Sequence, residues 1–382
     1  MPRKKPDTAD LPADPSARST TDDQPLNRVD HRADHRAVAS LAKPVSLADV
    51  AALAGVSTGT VSRVLSRPDM ISAATGQKVL AAAERLGYVA NGAARALALR
   101  KSRTIGALVP RFGGSSFPTL VQAMESALAD QGYTLLLSAP DHARAQDPAV
   151  LRALLERGVD AVALLGAEHP PAVFNMLHRH GIPFVFLWSL ASPQGPCVGF
   201  DEHEAAALVV DHLADLGHQV VGFIGGQTRD NERARRRFSG VLQAVARRGL
   251  TLCAEAHVET DYGFEPGFRA MQAVLARQTP VTAMICGNDY LAAGALSALD
   301  VAAVDVPGRM SVISFNDNDF APYLHPPLTT ARVPIREMGE TAARYLLSRL
   351  SVEPLPTPLA PPPPLPVTLV VRRSTGPVST EG

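Results

Sequence analysis

The chain is predicted to fold as a small all-α module followed by a two-lobed α/β body, with parallel sheets flanked by helices. Three observations predict it. Apolar residues recur at helical spacing in three short runs across residues 44–90. From Thr104 onward, β-rich runs alternate with amphipathic ones, the pattern of parallel sheets covered on both faces. A length of 382 residues also exceeds what one hydrophobic core ordinarily serves.

Taken in order, residues 1–42 are rich in Asp, Ala, Pro, Arg and Ser and lack any apolar period, which predicts a disordered tail. Three helices are expected next, over 47–54, 58–65 and 73–86. Ser57 and Ser72 are suited to capping the second and third, and Gly87 to stopping the third. Val50, Val56, Val61, Leu65, Ile71, Val79, Ala83 and Leu86 supply their shared core. The β-rich runs that follow are TIGALVP, YTLLLSA, VDAVALLG, PFVFLW, VVGFIGG, AMICG and MSVISF. They fall into two sets divided near residue 200, so two lobes with a ligand-sized cleft beyond the strand ends are expected. The Pro-rich segment 352–366 should be an extended surface spacer. The expected domains are a tail over 1–42, a helical domain over 43–90, and a linker over 91–103. The body then spans 104–375, with a second tail over 376–382.

Formal net charge is zero, but it is unevenly placed. Residues 43–103 hold nine basic and three acidic side chains, whereas residues 104–382 hold 21 basic and 27 acidic. A basic module on an acidic body suits a polyanion partner at one end. No run of 18 apolar residues occurs and no apolar segment follows Arg3-Lys4-Lys5, so neither a membrane span nor export is expected and the chain is placed in the cytoplasm. Cys197, Cys253 and Cys286 share no metal-ligand spacing and read as small buried hydrophobes. Phosphate-loop, nucleophile-elbow and zinc-protease motifs are all lacking, so no enzyme, cofactor or metal site is expected. GFIGG lacks the dinucleotide spacing and reads as a tight strand-to-helix turn.

In DVAALAGVSTGTVSRVLSRP (49–68), Gly55 separates two helices of barely two turns each. Helices that short are marginal alone, so a site that needs their angle is implied. A helix-turn-helix is such a site, with its second helix projecting. That helix presents Ser57, Thr58, Gly59, Thr60, Ser62 and Arg63, small polar groups that allow close approach to base edges plus one guanidinium for a guanine or a phosphate. An αα-hairpin within an enzyme's regulatory domain would share the outline.

Residues 43–98 resemble the headpiece of the lactose/galactose repressor family of bacterial transcription regulators. The likeness rests on D-V-A-x-x-A-G-V-S-x-x-T-V-S-R-V-L, then I-S, L-G-Y and N-x-x-A-R-x-L. It continues in VGFDEHEAA, LGHQVVGFIGG, CGNDYLAAGAL, PPLTT and LVVRRSTG. The resemblance implies an all-α helix-turn-helix DNA-binding headpiece and a two-lobed, periplasmic-binding-protein-like body. It also implies a homodimeric repressor on a pseudopalindromic operator, controlled by a small effector in the body. Thr58, Gly59 and Arg63 match base-reading positions, and Ser57, Thr60 and Ser62 match base or phosphate contacts. Asn91, Ala94, Leu97 and Ala98 match a hinge helix in which Leu97 is the minor-groove wedge. Ala90 replaces the family's usual proline.

In the body, the match points to Arg237, Asn288 and Asn316 as polar contacts, Tyr262 as a stacking face, and Phe117 with Trp188 on the opposite wall. Amide and guanidinium forks with aromatic faces suit a sugar. Asn288 could equally cap a helix, Trp188 could be core, and the other arginines of 233–237 read as a solvated face. Asn316 stands where the family usually has aspartate, which with the arginines favours an acidic or phosphorylated sugar such as gluconate; the flavour resembles the gluconate-regulator branch. An exported or cytoplasmic sugar receptor without DNA binding is the alternative.

Overall fold

The structure is a computed structural model that describes residues 44–67, 70–92, 96, 101–110, 112–351 and 362–378. The first tail, the expected hinge positions Ala94, Leu97 and Ala98, most of the proline-rich spacer and residues 379–382 lie outside the described residues. The chain divides into two compact units, one ending at Ala90 and one beginning at Asn91.

The first unit is three helices, α1 (Leu47–Ala54), α2 (Thr58–Ser66) and α3 (Ala73–Leu86). Each begins on a serine. Ser46 and Asp49 form a reciprocal capping box on α1, and Ser57 and Ser72 accept from the backbone N–H groups of Thr60 and Thr75. Gly55 ends α1 at φ 67°, and Val56 N–H donates to the Ala51 carbonyl at 3.0 Å. That left-handed residue sets the angle between α1 and α2, which glycine adopts without steric cost. Val50, Ala51, Val61, Val64, Val79, Ala82 and Ala83 are buried between the helices. Ala51, Val64 and Ala82 join the core positions expected from the sequence, while Val56, Leu65, Ile71 and Leu86 pack at its margin.

The second unit holds two sheets. Its elements run β1 (Thr104–Leu108), α4 (Phe117–Ala129), β2 (Thr134–Ser138), α5 (His142–Ala145), α6 (Pro148–Glu156), β3 (Ala161–Leu165), α7 (Pro171–His180), β4 (Phe184–Leu187) and β5 (Cys197–Val198). They continue with α8 (Glu202–Asp215), β6 (Val220–Gly226), α9 (Glu232–Arg248), β7 (Thr251–Thr260), α10 (Phe264–Ala276), β8 (Ala283–Cys286), α11 (Asp289–Val301) and β9 (Ser311–Asn316). Last come β10 (Thr329–Arg332), α12 (Ile335–Leu350) and β11 (Thr368–Val370). Strand order is β2-β1-β3-β4-β5 in the first sheet and β11-β10-β9-β8-β6-β7 in the second. All pairings are parallel except β10 with β11. The central strands β3, β8 and β9 are buried at every residue, as sheets covered on both faces require.

The lobes are not consecutive in sequence. The chain leaves the first sheet after β5, completes most of the second, and returns as α12 to pack along α4. It is back in the second sheet at β11. One buried core, including Val109, Trp188, Phe200, Val241, Phe315 and Met338, runs through both lobes. Body contacts continue past residue 375, since Val378 N–H donates to the Leu216 carbonyl at 3.1 Å.

Four strands went unread in the sequence: β5, β7, β10 and β11. β5 is two residues long, and β7 is an edge strand with a register shift opposite Val221 and Phe223. One correction concerns GFIGG, which is not a turn: Gly222 to Gly226 lie within β6.

Candidate functional site

On the first unit, α2 separates its faces cleanly. Val61 and Val64 are buried beneath it, while Ser57, Thr58, Gly59, Ser62 and Arg63 are exposed. Thr60 is half-buried, and its hydroxyl lies 3.0 Å from Ser57 Oγ beside the cap. The exposed set therefore forms one small polar patch with a single cation, Arg63. Asn91, the expected hinge position among the described residues, is also exposed.

In the body, a cavity of about 450 Å³ lies between the lobes. Phe117, Trp188, Arg237, Tyr262, Asn288 and Asn316, the six residues expected from the sequence, all line it. Phe117 opens α4 and meets Trp188, just beyond β4, edge-to-face at 5.5 Å. Trp188 holds φ 61° and is nearly buried, yet its indole N–H is satisfied by Glu202 Oε1 at 3.1 Å. Trp188 is thus both core and cavity wall.

Arg237 on α9 is buried, and its fork is committed. Nε and Nη2 donate to the two oxygens of Glu202 at 2.7 and 2.9 Å, and Nη1 donates to the Gly287 carbonyl. Burial opposes its charge, but Glu202 and Tyr262 outweigh that and raise its pKa. Three of its five donors are used, so the expected free fork for vicinal hydroxyls is reduced to two. Asn288 both caps α11, accepting from Leu291 N–H at 3.0 Å, and donates across the cleft to the Gly114 carbonyl at 2.9 Å. Asn316, at φ 108°, donates to Ser116 Oγ at 3.1 Å, while its Oδ1 is buried without a partner. Ser116 in turn donates to Asn318 at 2.9 Å. Burial raises the pKa of Asp289, which its hydrogen bonds from Asn318, Ser314 and Thr330 oppose; those bonds fix the 316–318 turn.

These contacts join the loop 113–116 of one lobe to the strand ends of the other. A second bridge lies at the start of α9. There Glu232 Oε2 accepts from Ala167 and Glu168 N–H at 2.8 and 3.2 Å, and Arg235 pairs with Glu168. The arginine run is therefore not simply a solvated face. Arg236 pairs with Glu232, and Arg233 lines the cavity with its guanidinium carbon 5.6 Å from the Phe117 ring centre. Sequence reading missed Glu202, Arg233 and Ser116. The only signal for Glu202 was its place in VGFDEHEAA, at the mouth of α8.

Residues 46–91 match the model for bacterial regulatory proteins of the lacI family, and residues 210–375 match the periplasmic binding protein-like domain. The regulator MalR of Streptomyces coelicolor is 35% identical over 324 residues, covering 81% of this chain and 91% of its own length. The chain belongs to the LacI family of bacterial regulatory proteins.

Two solved structures extend the likeness. The Lac repressor dimer bound to operator and the anti-inducer ONPF matches at TM-score 0.74 and 29% identity, covering 87% of this chain and all of that one. A LacI-family regulator from Enterococcus faecium with bound ribose matches at TM-score 0.63 and 28% identity, covering 72% of this chain and all of that one. This LacI-family member is accordingly a helix-turn-helix transcription regulator. Among the described residues no helix is long and apolar enough to cross a membrane.

Proposed function

We propose that the chain represses transcription as a homodimer, reading a pseudopalindromic operator with α2 and responding to a sugar-like effector in the cavity. The carrying observation is that the cavity's walls belong to different lobes, with hydrogen bonds from Asn288 and Asn316 spanning them. A ligand there contacts both lobes at once, so it binds one lobe arrangement better than another and shifts the population toward it. The operator-bound dimer and the ribose complex of the solved relatives support the same partners here. Thr58, Gly59 and Arg63 read bases, and Ser57 and Ser62 hold the duplex; Thr60 acts through the cap. Ala94, Leu97 and Ala98, with Asn91, form the hinge that enters the minor groove.

The test uses Leu97. A wedge unstacks a base step and adds contacts only on a properly seated site. Leu97→Ala should therefore weaken binding to a selected genomic fragment by about 10-fold or more, with bulk-DNA binding changed by less than about twofold. Equal losses on both DNAs would exclude the wedge.

A further inference from the structure

Arg233 was the residue most easily dismissed as surface charge. It sits in the first turn of α9, half-buried, with its guanidinium against Gly166 and over the Phe117 ring. The neighbouring cations are all matched: Arg235 by Glu168, Arg236 by Glu232 and Arg237 by Glu202. Arg233 alone of the four has neither a carboxylate partner nor a hydrogen bond among the described residues. Its neighbour Glu232 lies close by, but its carboxylate is taken up by two backbone N–H groups of the opposite lobe and by Arg236. The π face of Phe117 holds the guanidinium in place electrostatically but consumes none of its five donors.

The surroundings match an anion. Burial depresses the Arg233 pKa, outweighing the opposing pull of Tyr262, Glu232 and Glu202. The amino end of α9 lies in the same wall, where helix N–H groups and the helix dipole favour negative charge. The carboxylates that line the cavity, Asp230 and Asp261, are both solvent-exposed. Elsewhere in the lining the unpartnered Asn316 Oδ1 asks for a hydroxyl donor instead. The lining thus offers one cation for an anionic group and one acceptor for a hydroxyl.

We propose that Arg233 selects the effector class, so that the ligand is a polyhydroxylated molecule whose carboxylate or phosphate is held by Arg233. This rests on the reading of the cavity as the effector site. Trp188 is the only tryptophan and forms the cavity wall, so its emission reports occupancy directly. The full chain should be titrated with D-glucose, D-gluconate, D-glucose 6-phosphate and inorganic phosphate. The expected result is saturable binding of at least one sugar anion, about 10-fold or more tighter than D-glucose, with competition by phosphate. Arg233→Gln should collapse that preference to within about twofold, and Arg233→Lys should keep part of it. D-glucose binding as tightly as the anions, or a preference that survives Arg233→Gln, would overturn the proposal and leave the effector site standing. Silence of Trp188 toward all four would overturn both.

Discussion

Among single residues, Glu202 carries the most. It opens α8, accepts the indole N–H of Trp188 from one lobe and holds the Arg237 fork from the other, all in a buried setting. Buried pairs contribute little net stability against apolar substitutes, but removing one partner strands the other charge at about 3–5 kcal/mol. Glu202→Ala should therefore lower the unfolding free energy of the full chain by about that much, read by denaturant melts, and Glu202→Gln by less. A loss under about 1 kcal/mol would mean that water or another group replaces the carboxylate. Gly114 is a second such point. At φ 68°, an added Cβ would lie 2.5 Å from the Tyr262 carbonyl of the opposite lobe, so only glycine allows this approach.

At the scale of elements, legibility followed period and punctuation. α1 and α3 begin and end where Ser46, Gly55, Ser72 and Gly87 place them, because caps and left-handed stops act locally. β5, β10 and β11 were illegible because two to four residues carry no period, and β11 is placed by its pairing with β10 and by packing of Leu369 on the core. The six cavity residues were reachable through family motifs, whereas Arg233 was not. Its role depends on which of four clustered arginines lacks a carboxylate among the described residues, a matter of tertiary placement. One local conflict tests directly. Gly76 lies inside α3 with nothing within 4 Å of an added Cβ, so no packing reason requires it. Gly76→Ala should stabilise the helical unit by about 1 kcal/mol in thermal or urea unfolding. A destabilised variant would indicate a contact at that face, such as one made to DNA.

For the whole molecule, the crossing of the chain between lobes matters most. The α12 return and the β10–β11 pair tie each lobe to segments far apart in sequence, the kind of connection about which two lobes can pivot. A ligand that favours one lobe arrangement and changes operator affinity would do so through a coupling of about 1–3 kcal/mol. The most direct measurement is the affinity of the full-length chain for a genomic fragment it enriches, taken with and without a sugar anion that saturates the Trp188 signal. The expected change is about 5–150-fold in either direction. An affinity that stays within about twofold, while Trp188 reports full occupancy, would contradict control of operator binding from the cavity.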